Sequence, residues 1–365
     1  MNTTYELNNL RKDSDYLNRG MRATSVVAEV FSAMVKGNEV GAIKGADKAV
    51  KYIKELGSRA ENGDFGAVAE LNTLRRFVIE TPLLQEIKLL GIFGSYQAVG
   101  WDETIEREIY KHVGEKSREQ AEGGDVVFPA IVKETYPVST FTVSGGYAVD
   151  YRRVALGDMS KENEGMEQVR IDIRNKAMRA IIQKVYEAIH NATGVKFAFE
   201  NAGLTKAGVD GVLTKIRRFG RPTVIGDYAI LSQFTPWAGY VGSINSNTIT
   251  GISEAQMNEI AQNGLLGLYN GAVLAEIENP YDETTLNAAG DDFETMLPAG
   301  LGFVVPTGAK SPIATYTRGG LTSFTGNNVK NGKIESRFDL SVGCDVAKGQ
   351  EYKIGMFLDS NISSL

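Results

Sequence analysis

The chain of 365 residues has one cysteine, Cys344. No disulfide can close within a single copy, so a stapled secreted scaffold is excluded. Histidine is nearly as scarce, with two residues, His112 and His190. Both are expected in helical stretches far apart in sequence. That leaves too few ligands for an ordinary zinc site and too few partners for a Ser-His or Cys-His pair. Long apolar runs are missing as well. The longest, such as Leu89-Leu90-Gly91-Ile92-Phe93, fall far short of the ~20 residues that span a membrane. The start, Met-Asn-Thr-Thr-Tyr-Glu, has no basic stretch leading into an apolar core, so it does not read as a secretory signal. A soluble chain made in a reducing cytoplasm is expected. The formal net charge of -6 argues against chain-wide affinity for nucleic acid, which needs a basic surface.

What is present is an ordinary globular balance, with 42% hydrophobic and 23% charged residues. The length predicts two or three structural units. The organising stretch runs from Asp125 to Asn191. Its second half, Met166 to Asn191, has Val169, Ile173, Ala177, Ile181, Val185 and Ile189 at steps of four, widened by Met166, Met178 and Ile182. That spacing predicts one long helix. A step of four overshoots the turn by about 40°, so the apolar stripe winds around the helix. Its first half predicts a long two-stranded ribbon. Val126-Val127-Phe128 begins it, and Phe141, Val143, Tyr147, Val149 and Tyr151 alternate with polar residues, with a turn expected at Ser144-Gly145-Gly146. Pro129 and Pro137 mark edge strands. A two-stranded ribbon is not stable alone in water, so neighbouring copies of the same chain are expected to cover it.

Residues 1 to 22 read as a polar arm. Helices are expected over Ala23 to Lys36, over Ala46 to Leu56 with Gly57 as a stop, and over Phe65 to Ile79. Thr81-Pro82 is expected to open another over Leu83 to Leu90, and Trp101 to Val113 to form one more. Beyond the long helix, Val209 to Phe219 predicts a helix. Pro222 to Gly226 predicts a buried strand, with Asp227 capping the turn into Tyr228 to Phe234. Glu254 to Gln262 predicts a helix, and Ala272 to Ile277 and Gly300 to Val305 predict strands. Near the C-terminus, Ile334, Phe338, Leu340, Val342, Cys344 and Val346 share one face. After Lys348-Gly349, Tyr352, Ile354, Met356 and Leu358 share another. This predicts a long antiparallel hairpin, one face buried and one wet, with the long helix as its cover.

Chemistry is hard to find. There is no phosphate loop, nucleophile elbow, HExxH or CxxC. Glu276 and Glu278 are paired carboxylates, but a wetted strand face accounts for them. Asp291-Asp292 lacks the spacing and partners of a metal site. Cys344 reads as a buried structural thiol. No catalytic residue, cofactor or metal is therefore expected. Lys215, Arg217, Arg218 and Arg221 form the one dense basic cluster. A solvated helix end, favoured by the helix dipole, accounts for it; pairing with acidic groups of an adjacent copy, or contact with nucleic acid, are the other readings.

The order of elements resembles that of tailed-bacteriophage major capsid proteins, the Hong Kong phage-type fold shared with encapsulins. The likeness runs from about Asp125 to Leu358. Phe219-Gly220-Arg221-Pro222-Thr223-Val224-Ile225-Gly226-Asp227 resembles the strand entering the axial domain of that family. Lys333 to Phe357 resembles the closing strands of its peripheral domain. The resemblance implies an α+β fold with an extended-loop hairpin, a long spine helix, peripheral and axial domains and a helical N-terminal region. Its expected divisions are an arm and helical region over 1–122, the extended loop over 123–160 and a peripheral domain with the spine over 161–200. The axial domain would occupy 201–299, and return strands with the C-terminal hairpin 300–365. The implied work is self-assembly as hexamers and pentamers into an icosahedral head. That head encloses double-stranded DNA without sequence-specific binding, alongside portal and scaffolding proteins. The implied location is the virion, assembled in the bacterial host cytoplasm and away from membranes. Residues expected at subunit interfaces are Lys133, Glu134, Tyr147, Tyr151, Arg152, Arg153, Lys215, Arg217, Arg218 and Arg221. The N-terminal arm would reach along neighbours, and hinges are expected near Gly157 and Gly165. An encapsulin-like compartment is the first alternative, and an α/β enzyme of unfamiliar type the second.

Overall fold

A computed structural model describes residues 25–35, 38–41, 43, 45–87, 89–113, 119, 122, 128, 130–149, 156, 160–238, 258, 260, 262, 264–287, 290–307, 311–328 and 333–362. The arm over 1 to 22, Gly157 and six of the nine residues of the helix expected over Glu254 to Gln262 lie outside them; Asn258, Ile260 and Gln262 are helical. The described helices are α1 (Ser25–Val35), α2 (Ala46–Glu61), α3 (Phe65–Glu86), α4 (Leu89–Ile92), α5 (Ser160–His190), α6 (Lys206–Ile216), α7 (Tyr228–Leu231) and α8 (Phe234–Trp237). The strands are β1 (Gly94–Val99), β2 (Glu106–Val113), β3 (Ala130–Pro137), β4 (Thr140–Val149), β5 (Phe197–Asn201), β6 (Arg221–Gly226), β7 (Leu268–Tyr269), β8 (Ala272–Glu276), β9 (Tyr281–Leu286), β10 (Phe293–Thr295), β11 (Leu301–Thr307), β12 (Ile313–Asn328), β13 (Lys333–Val346) and β14 (Gly355–Asp359). Helix and strand are thus mixed, as an α+β chain requires.

The chain divides into two compact units. The first comprises residues up to Ile87, Phe141–Ala177 and Arg318–Val342. There α1, α2 and α3 pack on one another through Val26, Val30, Phe31, Ile53, Leu56, Leu71 and Leu74, all buried. Helix α2 does not stop at Gly57. Its apolar face continues to buried Ala60, which outweighs the ~1 kcal/mol that an interior glycine costs. It ends at Asn62-Gly63, where Gly63 takes φ 85°. Asp64 then caps α3, accepting from the N–H groups of Gly66 (2.9 Å) and Ala67 (3.3 Å). Pro82 does not open a new helix either. The backbone of α3 runs through it, and Ile79, Leu83 and Ile87 carry the buried stripe across.

In the same unit β4, β13 and β12 lie side by side. Ser144-Gly145-Gly146 is not a turn but part of β4. A Cβ on Gly145 would lie 3.2 Å from Ile173 and Val169 of α5, and one on Gly146 would lie 2.7 Å from the Ser336 carbonyl oxygen of β13. The glycines are there so that helix and strand can approach closely. Gly165 is likewise no hinge. It lies within α5, and a Cβ there would meet the Tyr147 ring at 2.9 Å. Tyr147 itself stacks on Phe338, centroids 5.9 Å apart. Arg75 is fully buried, donating to Asn72 Oδ1 (3.1 Å) and Ser336 Oγ (3.4 Å).

The second unit comprises Lys88–Thr140, Met178–Thr317 and Gly343–Leu365. Its centre is a six-stranded mixed sheet ordered β5-β14-β11-β6-β8-β7. Helix α6 buries Val209, Val212, Leu213 and Ile216 against it, joined by Phe234 of α8 and Phe357 of β14. The expected C-terminal hairpin does not form. Strand β14 pairs antiparallel with β11 and parallel with β5, and β13 pairs elsewhere. The turn at Gly349 (φ 73°) and a 3-10 turn over Glu351–Lys353 redirect the chain. Met356 and Phe357 are then buried together, as a central strand needs. The wet face expected on β13 is wet in its first half, where Glu335 and Arg337 are exposed, and is covered further on, where Asp339 is buried. Cys344 is buried and free, and burial pushes its thiol up to about 12.

The winding stripe on α5 is buried throughout, from Met166 and Val169 through Ile173, Ala177 and Ile181 to Val185 and Ile189. Its 31 residues span about 46 Å.

Asp359 locks the end of β14. It accepts from the N–H groups of Gly203 (2.9 Å) and Asn361 (3.0 Å) and from Gln233 Nε2 (3.0 Å). Burial alone would raise its pKa, but these bonds hold the carboxyl below the usual range. A lowered folded pKa contributes stability that is full above about pH 4 and is lost as the pH falls through the folded value. Asp359→Asn should cost about 2 kcal/mol at neutral pH and flatten this acid dependence. Thermal midpoints of the dissociated subunit, wild type and variant, across a pH series check both.

Candidate interaction surfaces

The stretch Trp101 to Val113 is not a helix. After a turn, β2 pairs antiparallel with β3 from Glu106↔Pro137 to Val113↔Ala130, eight pairs without a slip. His112 is therefore on a strand. The pattern of Glu and Lys suits a helix locally, but Lys133 of β3 meets Glu108 instead, Nζ to Oε1 2.5 Å. The ribbon thus begins about twenty residues earlier than the sequence implies, and β4 is not part of it. Eight strand residues reach about 27 Å.

Its root is fastened. Arg107 and Tyr136 are cross-strand partners, and both hold Asp345 at the end of β13. Arg107 Nη1 lies 3.4 Å from Asp345 Oδ2 and donates to the Asp345 carbonyl oxygen (3.0 Å), while Nη2 donates to the Pro312 carbonyl oxygen (2.6 Å). Tyr136 Oη donates to Asp345 Oδ2 at 2.7 Å. Burial leaves the Asp345 carboxyl above its ordinary pKa, although Tyr136 and Arg107 both pull it down. A cleft of about 400 Å³ opens beside this root, lined by Glu106, Arg107, Glu108, Tyr110, Tyr316 and Lys353 among others. Its arginine is already committed to the anchor.

Beyond the root the ribbon is bare. Tyr110, Val113, Ile131 and Val132 are 52%, 55%, 62% and 42% exposed. By the pairing register Val113 and Val132 share one face and Tyr110 and Ile131 the other. Each face carries exposed apolar side chains among its charges, which a lone ribbon sustains poorly. Lys133 and Glu134 lie on this exposed stretch. Tyr147 is used inside its own unit, and Tyr151, Arg152 and Arg153 lie outside the described residues.

The basic cluster sits where α6 ends and β6 begins. Part of it serves the chain itself. Arg217 Nη1 donates to the Asn270 carbonyl oxygen (3.1 Å) and Arg221 Nε to that of Gly271 (3.4 Å). Asn270 (φ 46°) and Gly271 (φ 77°) form the two-residue turn between β7 and β8. Two positive φ values are what a hairpin turn of this kind demands, and Asn-Gly is the dipeptide that supplies them. That signal was present in the sequence. Asp210 closes the arrangement, accepting from Tyr269 Oη (3.0 Å) and Asn270 Nδ2 (2.9 Å). Lys215 and Arg218 remain exposed, Lys215 with its Nζ 5.3 Å from the Phe197 ring centre.

Among the described residues no group of His, Cys, Asp and Glu is placed to hold a metal ion, and no helix is long and apolar enough to cross a membrane.

An anchored ribbon with exposed apolar side chains is the kind of surface that other chains complete. The family model described as "SPbeta prophage-derived putative capsid protein YonB" matches residues 6–357, and the chain belongs to that family. No curated protein matches it. Among solved structures, a chain from Mycobacterium phage Patience is 12% identical, with 80% of this chain and 90% of that one covered and a TM-score of 0.46. The capsid structure of the Cyanophage P-SCSP1u is 8% identical over 73% of this chain and 86% of that one, TM-score 0.47. The virus-like particle from Pyrococcus furiosus is 8% identical over 76% and 97%, TM-score 0.43. The family assignment rests on the sequence match.

Proposed function

We propose that the chain is the major capsid protein of a bacteriophage, self-assembling into the shell of the head. Its work is structural, and its place is the virion. The observation that carries this beyond the family match is the ribbon, which leaves Tyr110, Val113, Ile131 and Val132 exposed.

In finer detail, the fold is of the Hong Kong phage type. The β2–β3 ribbon is its extended loop, α5 its spine, and the region around α6, β6 and the β7–β8 turn its axial domain. Copies gather as hexamers and pentamers in an icosahedral lattice, assembled in the host cytoplasm with scaffolding and portal proteins. The net charge of -6 suits a shell that encloses double-stranded DNA without gripping its sequence. Many modest contacts, multiplied by closed symmetry, give such a shell its strength. The phage-capsid family favours this over a compartment that packages enzymes.

Sedimentation of the purified chain tests the reading. A capsid protein runs as rings, sheets or particles of megadalton size. A monomer or small oligomer at every concentration and salt overturns it.

A further inference from the structure

We infer that the β9–β10 hairpin of one copy docks on the basic ledge of the next, Lys215 and Arg218, forming a head-to-tail joint. This rests on the shell reading above and names a contact within it.

The hairpin is a two-stranded sheet that pairs with no other described strand. Tyr281, Leu286 and Phe293 are 54%, 55% and 43% exposed, and the rings of Tyr281 and Phe293 are in contact at 6.4 Å. The stretch from Glu276 to Met296 contains Glu276, Glu278, Asp282, Glu283, Asp291, Asp292 and Glu294 and no lysine, arginine or histidine. Asp282 and Glu294 are direct cross-strand partners. Like charges in that position destabilise a hairpin.

The ledge is the complement. Thr214 to Pro222 contains Lys215, Arg217, Arg218 and Arg221 and no carboxylate. Arg217 and Arg221 spend hydrogen bonds on the turn carbonyls, and neither of these is an ion pair.

The two surfaces cannot satisfy each other within one chain. Strands β6 and β8 run parallel, Thr223↔Val273 to Gly226↔Glu276. Arg221 and the Asn270-Gly271 turn stand at their starting end. The hairpin springs from their finishing end, where Asn279 Nδ2 donates to Asp227 Oδ2 at 2.8 Å and Met296 N–H donates to the Pro280 carbonyl oxygen at 2.9 Å. Five steps of β6 separate the ends by about 17 Å. Complementary patches on opposite ends of one sheet make a heterologous contact. Such contacts close into rings when the rotation per copy allows it.

The test uses the full chain under conditions in which wild type assembles. Lys215→Glu with Arg218→Glu forms the first variant, and Asp291→Lys, Asp292→Lys and Glu294→Lys the second. All five residues are exposed, and Arg217 and Arg221 are left alone to keep the turn. Circular dichroism and thermal melts confirm folding, and Asp291→Asn, Asp292→Asn and Glu294→Gln provide a milder backup. Each reversal should raise the concentration needed for assembly at least about tenfold. Mixing the two variants matches only the joints between unlike copies, which a ring with an odd number of copies cannot supply throughout, whereas combining both sets in one chain restores the complement at every joint and should recover assembly to within about threefold of wild type. Added salt should weaken the wild-type joint. Variants that assemble like wild type overturn the joint, as does a combined chain no better than either parent. If only the hairpin variant fails, the hairpin meets a different chain and the proposal is wrong. These outcomes are separate from failure of the shell reading, in which wild type itself never assembles.

Discussion

Replacing residues 108–135 with an Asn-Gly turn gives a subunit that folds and builds no shell. The cut leaves Arg107 and Tyr136 in place. They are cross-strand partners, so a two-residue turn can join them, and their hold on Asp345 survives. What is lost is the bare part of the ribbon. Only Ile109 is buried among the described residues removed, so the body keeps nearly all of its core. Covering Tyr110, Val113, Ile131 and Val132 with a neighbour contributes on the order of 4 kcal/mol per copy. Its loss raises the concentration needed for assembly about a thousandfold. Electron microscopy should show no particles, while circular dichroism and the thermal melt stay close to wild type. Particles of normal size and stability from the shortened chain would contradict this.

Phe234→Ala should have the opposite signature, a subunit that fails before assembly is asked of it. Phe234 is fully buried at the start of α8. Its ring meets Tyr269 edge-on at 5.1 Å, Trp237 at 5.4 Å and Phe357 at 6.3 Å. It therefore joins α8 to the end strand β7 and to β14 deep in the sheet. Removing a ring that touches three others leaves a cavity that rigid neighbours cannot fill. The cost should be about 3–5 kcal/mol. Denaturant unfolding of the dissociated subunit measures it. A loss under about 1 kcal/mol would mean that this cluster does not organise the second unit.

Much of the fold was legible where the signal is local. The stripe on α5 declared a long helix because nine apolar residues recur along it. The run Pro222 to Gly226 declared a buried strand, and Asp227 declared its cap by accepting from the Ala229 N–H (2.7 Å). Pairing was not legible, because it is decided by residues far away. The alternation on β13 was clear, yet nothing in it says that β12 and β4, and not β14, lie beside it. The glycines of β4 look like a turn until Ile173 and Val169 are seen pressing on them. The charges of β2 look like a helix until β3 arrives with Lys133.

The candidate surfaces divide in the same way. The sequence picked out the basic cluster but could not show that Arg217 and Arg221 hold carbonyls roughly fifty residues on. It placed Lys133 and Glu134 on a ribbon and misjudged which strand they pair with. The acidic hairpin was visible as the Asp291-Asp292 doublet, and its isolation as a two-stranded sheet emerged only from the structure.

A cryo-electron microscopy reconstruction of particles grown from this chain addresses the main contention most directly. Ile131 and Val132 should be buried against a different copy, with the ribbon root still clamped on Asp345. A closed shell in which that ribbon stands in solvent on both sides, or folds back onto its own body, would refute it.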